Sequence, residues 1–209
     1  MRQIDRGAQQ AIDQLVAAHQ ALFSYSAQVR AEAVGDTKRE TAMATVSYQK
    51  PNRARVEVKR VGGPSQLSVS DGTNRLVEGG GSRRKGKAEA GEKAVITTLS
   101  QANFFISPVF LYLTSRAAPI PSLLPGPPKV LGYGNPINLD GVAVEVVIAD
   151  VQTKDGIVRL TFSIGKDDHL LRRLMIQTDF QSENLTLAET YTQVKANPSL
   201  EKKLFTLPA

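Results

Sequence analysis

The 209-residue chain has no cysteine and no tryptophan, and only two histidines. Without cysteine there is no disulfide, no thiolate metal site, no nucleophilic thiol and no lipid-bearing Cys within this sequence. The compartment stays open, because exported proteins can also dispense with cysteine. His19 and His169 have no His or Glu at ligand spacing, and no GxSxG, HExxH or DxDxDG pattern occurs. Most metal and acid–base constellations are therefore missing. Asp167-Asp168 could pass for a carboxylate pair, but adjacent acids at a hairpin tip are ordinary turn formers. The expectation is a protein that is not an enzyme and carries no metal or cofactor.

Long apolar runs are also lacking. Nothing approaches the ~18 consecutive apolar residues that span a bilayer. The first twenty residues do not contain the continuous apolar core of a secretory leader. Either the protein stays inside, or a leader has been removed. Aromatics are few, at seven Phe and five Tyr, and most fall on expected buried faces. With no helix-turn-helix or RNP-like pattern, the net charge of +6 does not amount to a nucleic-acid surface.

What is present is an ordinary globular composition, 41% hydrophobic and 22% charged, enough for one large domain or two small ones. The charge is asymmetric. Residues 1–87 hold 15 Lys/Arg against 8 Asp/Glu, and residues 88–209 hold 11 against 12. A basic N-terminal half suits an anionic membrane surface or an acidic partner.

Ile4, Ala8, Ala11, Ile12, Leu15, Val16, His19 and Leu22 recur at spacings of three and four, the mark of an amphipathic helix. The period then changes to two. Phe23 to Ala33, Ala42 to Tyr48, and Ala54 to Val58 each place apolar side chains on one face of a strand. Gly35-Asp36, Pro51-Asn52, Gly62-Gly63-Pro64 and Asp71-Gly72 supply the turns. This reads as an antiparallel meander with one buried face. Gly79 to Lys87 (GGGSRRKGK) reads as a basic loop. It matches GxxxxGK, yet Ala88 stands where a phosphate-binding loop needs Ser or Thr, and no strand-to-helix frame surrounds it.

The middle of the chain differs. Lys93 to Gln101 reads as helix. Phe104 to Leu113 (FFISPVFLYL) is too short to cross a membrane but suits short buried helices broken near Pro108. Five prolines between 119 and 128 then predict an extended connection. Strands resume, with Val142, Val144, Val146 and Ile148 on one face, then Val158, Leu160, Phe162 and Ile164, then Leu174 and Ile176, and a last run from Leu185 to Val194. Together these predict one α+β domain over 1–209, with a helical segment at 93–117 and a Pro-rich connection at 118–129.

The order of these elements resembles the LolA/LolB-type periplasmic lipoprotein carriers and their envelope relatives. The resemblance rests on Tyr48-Gln49-Lys50-Pro51-Asn52-Arg53-Ala54-Arg55-Val56 entering a strand, on Val69-Ser70-Asp71-Gly72-Thr73 opening a hairpin, and on the ending Leu204-Phe205-Thr206-Leu207-Pro208. The Ile164-Gly165-Lys166-Asp167 turn is similar too. It implies a curved, unclosed half-barrel sheet with an N-terminal helix and short helices capping its apolar hollow. It also implies a periplasmic, monomeric protein, its leader removed, that binds a lipid or lipidated protein. The implied lining is Ala44, Val46, Tyr48, Val56, Val58, Leu160 and Phe162 from the sheet, with Phe104, Phe105, Phe110 and Leu113 from the lid. Lys50 is the implied lid or head-group contact, standing where the carriers have an arginine; lysine keeps the charge but not the forked donor geometry. A related expectation is a sensor or scaffold with the same fold and a filled hollow.

Overall fold

The structure, a computed structural model, describes residues 3–101, 106–115, 122–180 and 184–208. A two-residue strand β1 (Gln3–Ile4) leads into helix α1 (Arg6–Ala21), whose start is capped by Asp5 accepting the Ala8 N–H at 2.9 Å. Ala8, Ala11, Ile12, Leu15 and His19 form its buried stripe, as their spacing requires, while Ile4 belongs to β1 and is exposed.

Six strands follow: β2 (Ser24–Val34), β3 (Arg39–Gln49), β4 (Arg53–Arg60), β5 (Gln66–Ser70), β6 (Asn74–Gly79) and β7 (Ser82–Lys87). Then come helices α2 (Glu92–Ser100) and α3 (Pro108–Thr114). The chain returns through β8 (Pro128–Tyr133), β9 (Ile137–Leu139), β10 (Val142–Gln152), β11 (Gly156–Gly165), β12 (Leu171–Phe180) and β13 (Asn184–Ala196), and ends in a 3-10 turn (Lys202–Phe205). All these strands join one unclosed sheet in the order β1-β8-β10-β11-β12-β13-β2-β3-β4-β5-β6-β7, with β9 beside β10. Pairing is antiparallel except between β1 and β8. Register shifts at Asp150/Val151, Ser163/Ile164 and Thr192/Lys195 bend the strands, as bulges do. The result is an α+β half-barrel with α1, α2 and α3 on its apolar face.

The strands read from alternation form with the expected facing. Tyr25, Ala27, Val29 and Ala31 on β2, Ala42, Ala44, Val46 and Tyr48 on β3, and Ala54, Val56 and Val58 on β4 are buried and join one hydrophobic cluster with the helices. Gly72 adopts a φ of 98° in the β5–β6 turn, where an added Cβ would lie 2.8 Å from Asn52.

Three expectations need correction. Residues 79–87 are not a loop. Gly80 and Gly81, at φ 58° and 77°, make a tight turn, and Ser82 to Lys87 runs back along β6 as an exposed edge strand. The GxxxxGK stretch thus lies in a hairpin, with no helix aimed at it. On β10 the residues that join the main hydrophobic cluster are Val147, Ala149 and Val151, whereas Val144 and Val146 are buried outside that cluster and Val142 and Ile148 are half-buried. That strand is apolar on both faces, so its neighbour decides: Val147 sits opposite Phe162 and Ala149 opposite Leu160. Finally, β8 already begins at Pro128, inside the stretch expected as a connection. Phe104, Phe105 and residues 116–121 lie outside the described residues.

Candidate functional site

The interior between sheet and helices gathers most of the residues the sequence nominates. Ala44, Val46 and Tyr48 reach it from β3, Val56 and Val58 from β4, Leu160 and Phe162 from β11, and Phe110 and Leu113 from α3. All nine are buried and belong to a single packed cluster. Helix α3 packs chiefly on α1 and α2. It reaches the sheet through side chains.

One such contact is a buried carboxylate that alternation alone does not reveal. Glu189 on β13 sits opposite Ala31 of β2, on the apolar face, fully buried. Its Oε1 accepts the backbone N–H of Ser107 at 2.6 Å, and its Oε2 accepts the Ser107 hydroxyl at 3.0 Å. Ser107 is the N-cap of α3, its Oγ accepting the Phe110 N–H at 3.2 Å. The Tyr191 hydroxyl, two residues along β13, donates to the same carboxylate. Burial pushes the Glu189 carboxyl up to about 7, outweighing these donors, which pull it down. A sequence signal existed: Leu185, Leu187, Glu189 and Tyr191 share one parity of β13. A carboxylate in an apolar row needs a partner.

Around Phe110 lies an aromatic nest. Its ring stacks on Tyr191 at 5.1 Å and lies 5.6 Å from Tyr25 and 6.1 Å from His19. Tyr25 and Tyr48, directly opposite on β2 and β3, stack at 5.5 Å. His19 Nε2 accepts the Leu171 N–H at 3.0 Å, which leaves the ring proton on Nδ1. Burial, with the Arg172 guanidinium adding to it, lowers the His19 pKa to about 3, so the ring is neutral. Burial also raises both tyrosines well above their ordinary value. Among the described residues, His19 Nδ1 and the Tyr25 and Tyr48 hydroxyls have no hydrogen-bond partner.

Lys50, one residue beyond β3, is a second fastening. Its Nζ donates to the Gln20 carbonyl at 3.0 Å, in the last turn of α1, and lies 3.9 Å from Glu92 at the start of α2. A cation there favours the negative end of α1. Asp168, nominated and discounted as half of an acid pair, binds Arg172 at 2.5 Å. Among the described residues no group of His, Cys, Asp and Glu is placed to hold a metal, and no helix is long and apolar enough to cross a membrane. A groove of about 680 Å³ runs outside this interior, between Ile12 and Val16 of α1, Tyr112 of α3, and Leu123 and Leu124. The chemistry around Phe110 is thus apolar contact, the bonded Glu189 carboxyl and, among the described residues, the unpartnered donors of His19, Tyr25 and Tyr48.

No protein-family model and no curated protein matches the chain. Solved structures do match. MucB is 12% identical, with a TM-score of 0.55, covering 98% of this chain and 64% of that one. MucB in its complex with MucA from Pseudomonas aeruginosa is also 12% identical, at a TM-score of 0.53, with 97% and 61% covered. LprF from Mycobacterium bovis is 12% identical at 0.52, with 95% and 98% covered. A LolA superfamily protein from Nitrosomonas europaea is 11% identical at 0.47, with 96% and 97% covered. The chain therefore spans less than two thirds of the length of MucB. At such identities the likeness is one of fold alone, a fold shared with MucB and LprF.

Proposed function

We propose that this chain is a carrier-like protein of the bacterial envelope, working in the periplasm as a monomer, that holds the acyl chain of a lipid or lipidated protein between its sheet and helices. The observation that carries the reading is the construction of the cover. Three helices lie on an unclosed sheet whose inner strands present Ala27, Ala31, Ala42, Ala44 and Ala54, and α3 is fastened to it by packing and by the bonds of its cap Ser107 to the Glu189 side chain, with no strand-like main-chain pairing. Small residues beneath a movable cover leave an apolar bed once α3 lifts. Each buried CH₂ of a guest then contributes ~0.8 kcal/mol without any catalytic group. Ala44, Val46, Tyr48, Val56, Val58, Leu160 and Phe162 would form the bed, with Phe110 and Leu113 above it; Phe104 and Phe105, outside the described residues, are proposed to contact the same guest. The groove beside α1 and Tyr112 supplies the mouth. Lys50 would serve as the lid contact through Gln20 and Glu92, and the basic half would meet the head group or an anionic membrane surface.

Native mass spectrometry of the protein purified from the envelope tests this reading. A bound acyl lipid or lipidated peptide is the expected result. A bare polypeptide mass, with no uptake of an added acyl probe, would overturn it.

A second reading is favoured by the packing itself, since the nine described lining residues are all buried in one cluster. There the hollow stays filled by its own side chains and the fold serves as a sensor or scaffold for another envelope protein, as MucB assembles with MucA. The bare mass together with a co-purifying protein partner is its signature.

A further inference from the structure

We propose that Tyr25, Tyr48 and His19 form a binding site for the carbonyl oxygens of an ester- or amide-linked acyl group. The inference rests on the carrier reading above and names the ligand's polar end.

Three observations lead to it. First, the Tyr25 hydroxyl, the Tyr48 hydroxyl and His19 Nδ1 are buried, and none has a hydrogen-bond partner among the described residues. Buried polar atoms in native proteins are nearly always satisfied, so three orphans in neighbouring rings call for a missing acceptor. Second, these groups are neighbours by construction. Tyr25 and Tyr48 form a cross-strand pair stacked at 5.5 Å, and His19 lies 5.9 Å from Tyr25. Third, Phe110 packs against Tyr25 and His19 and belongs to α3, the helix tied down by Glu189 and Ser107. Lifting α3 takes that ring away from the donors.

The chemistry narrows the ligand. The imidazole offers a neutral N–H, because its Nε2 already accepts from Leu171. Both tyrosines are held in their phenol form by burial. The nearby cations are committed elsewhere, Arg172 to Asp168 and the Leu170 carbonyl, Lys50 to Gln20 and Glu92. A site made only of neutral donors solvates a carbonyl oxygen well. An ionised carboxylate there would be a buried charge without a counter-ion. Ester and amide carbonyls are therefore preferred over a fatty-acid anion, and over an ether that offers no carbonyl.

The test compares 1,2-dioctanoylglycerol with its diether analogue, 1,2-dioctylglycerol, and with octanoate, each titrated into the full chain and into the Tyr25→Phe/Tyr48→Phe double variant. The intact protein should bind the ester about tenfold or more tightly than the ether, the worth of one or two hydrogen bonds. Octanoate should bind least at pH 8. The double variant, which keeps only the His19 N–H, should lose most of the preference for ester over ether. Equal affinity of the intact protein for ester and ether overturns the site while leaving the carrier reading in place, and assigns the donors to buried water instead. Binding of neither overturns both. The ester–ether comparison is made on the intact protein, so it stands whatever the variant's stability. A diacylated lipopeptide run alongside distinguishes the source of the ester, since tighter binding than dioctanoylglycerol points to a lipidated protein and weaker binding to a free glycerolipid.

Discussion

The backbone N–H of Ser107 donates to the carboxylate of Glu189 across 2.6 Å, joining the N-cap of a covering helix to the inner face of the last long strand. The same carboxylate takes the Ser107 hydroxyl and the Tyr191 hydroxyl. Replacing Glu189 with Ala strands all three donors in an apolar interior. A loss of roughly 2–4 kcal/mol is expected in urea unfolding, with a smaller loss for Glu189→Gln, which keeps an acceptor oxygen.

The pH dependence follows from two buried groups of opposite sense. Glu189 titrates at about 7 when folded against 4.5 ordinarily, so the folded chain holds the extra proton between those values. Its contribution is full below pH 4.5 and is lost as pH rises through 7. His19 titrates at about 3 when folded against 6.5 ordinarily. Its contribution is full above pH 6.5 and is lost as pH falls toward 3. From pH 4.5 to 6.5 the two nearly cancel. Glu189→Gln should therefore show stability rising with pH across that window relative to the parent chain, measured as urea midpoints at half-unit steps. A parallel displacement of the two curves would refute the assignment.

Phe110 touches Tyr191, Tyr25 and His19, and its removal leaves a void bounded by rings from three elements. Phe110→Ala should cost about 3–5 kcal/mol. Tyr191→Phe, which keeps the ring and drops only the bond to Glu189, should cost about 1–2 kcal/mol. Near-equal losses would mean that packing contributes little to holding α3.

Lys50 joins α1 to the start of α2. Lys50→Ala should lower stability by about 1–2 kcal/mol, with most of that recovered in Lys50→Arg. Thermal melts in low and high salt check it, because the side chain is mostly shielded and the loss should persist as salt rises.

Much of this architecture was legible in the sequence because its strands are half-buried. Ala42, Ala44, Val46 and Tyr48 alternate with Thr41, Met43, Thr45 and Ser47, so parity alone names the inner face. Parity fails where both faces are covered, as on β10, whose Val146 and Val147 are both buried and whose facing is set by Phe162 across the ladder. It also fails where neither face is covered. Ser82 to Lys87 carries no apolar row, and only the glycine turn and pairing to β6 make it a strand. The aliphatic lining was readable as apolar positions. Glu189 shares its parity with Leu185, Leu187 and Tyr191, but its role was not readable, because its partner Ser107 lies 82 residues away in the chain and only the fold brings it near.

The strand Ser82–Lys87 ends the sheet's path with Arg83, Arg84, Lys85 and Lys87 all exposed. Two such rims brought side by side would set cation against cation along their whole length, so the hydrogen-bonding groups on that border are withheld from a second copy. On an unclosed barrel, positive charge along that border disfavours edge-to-edge pairing there.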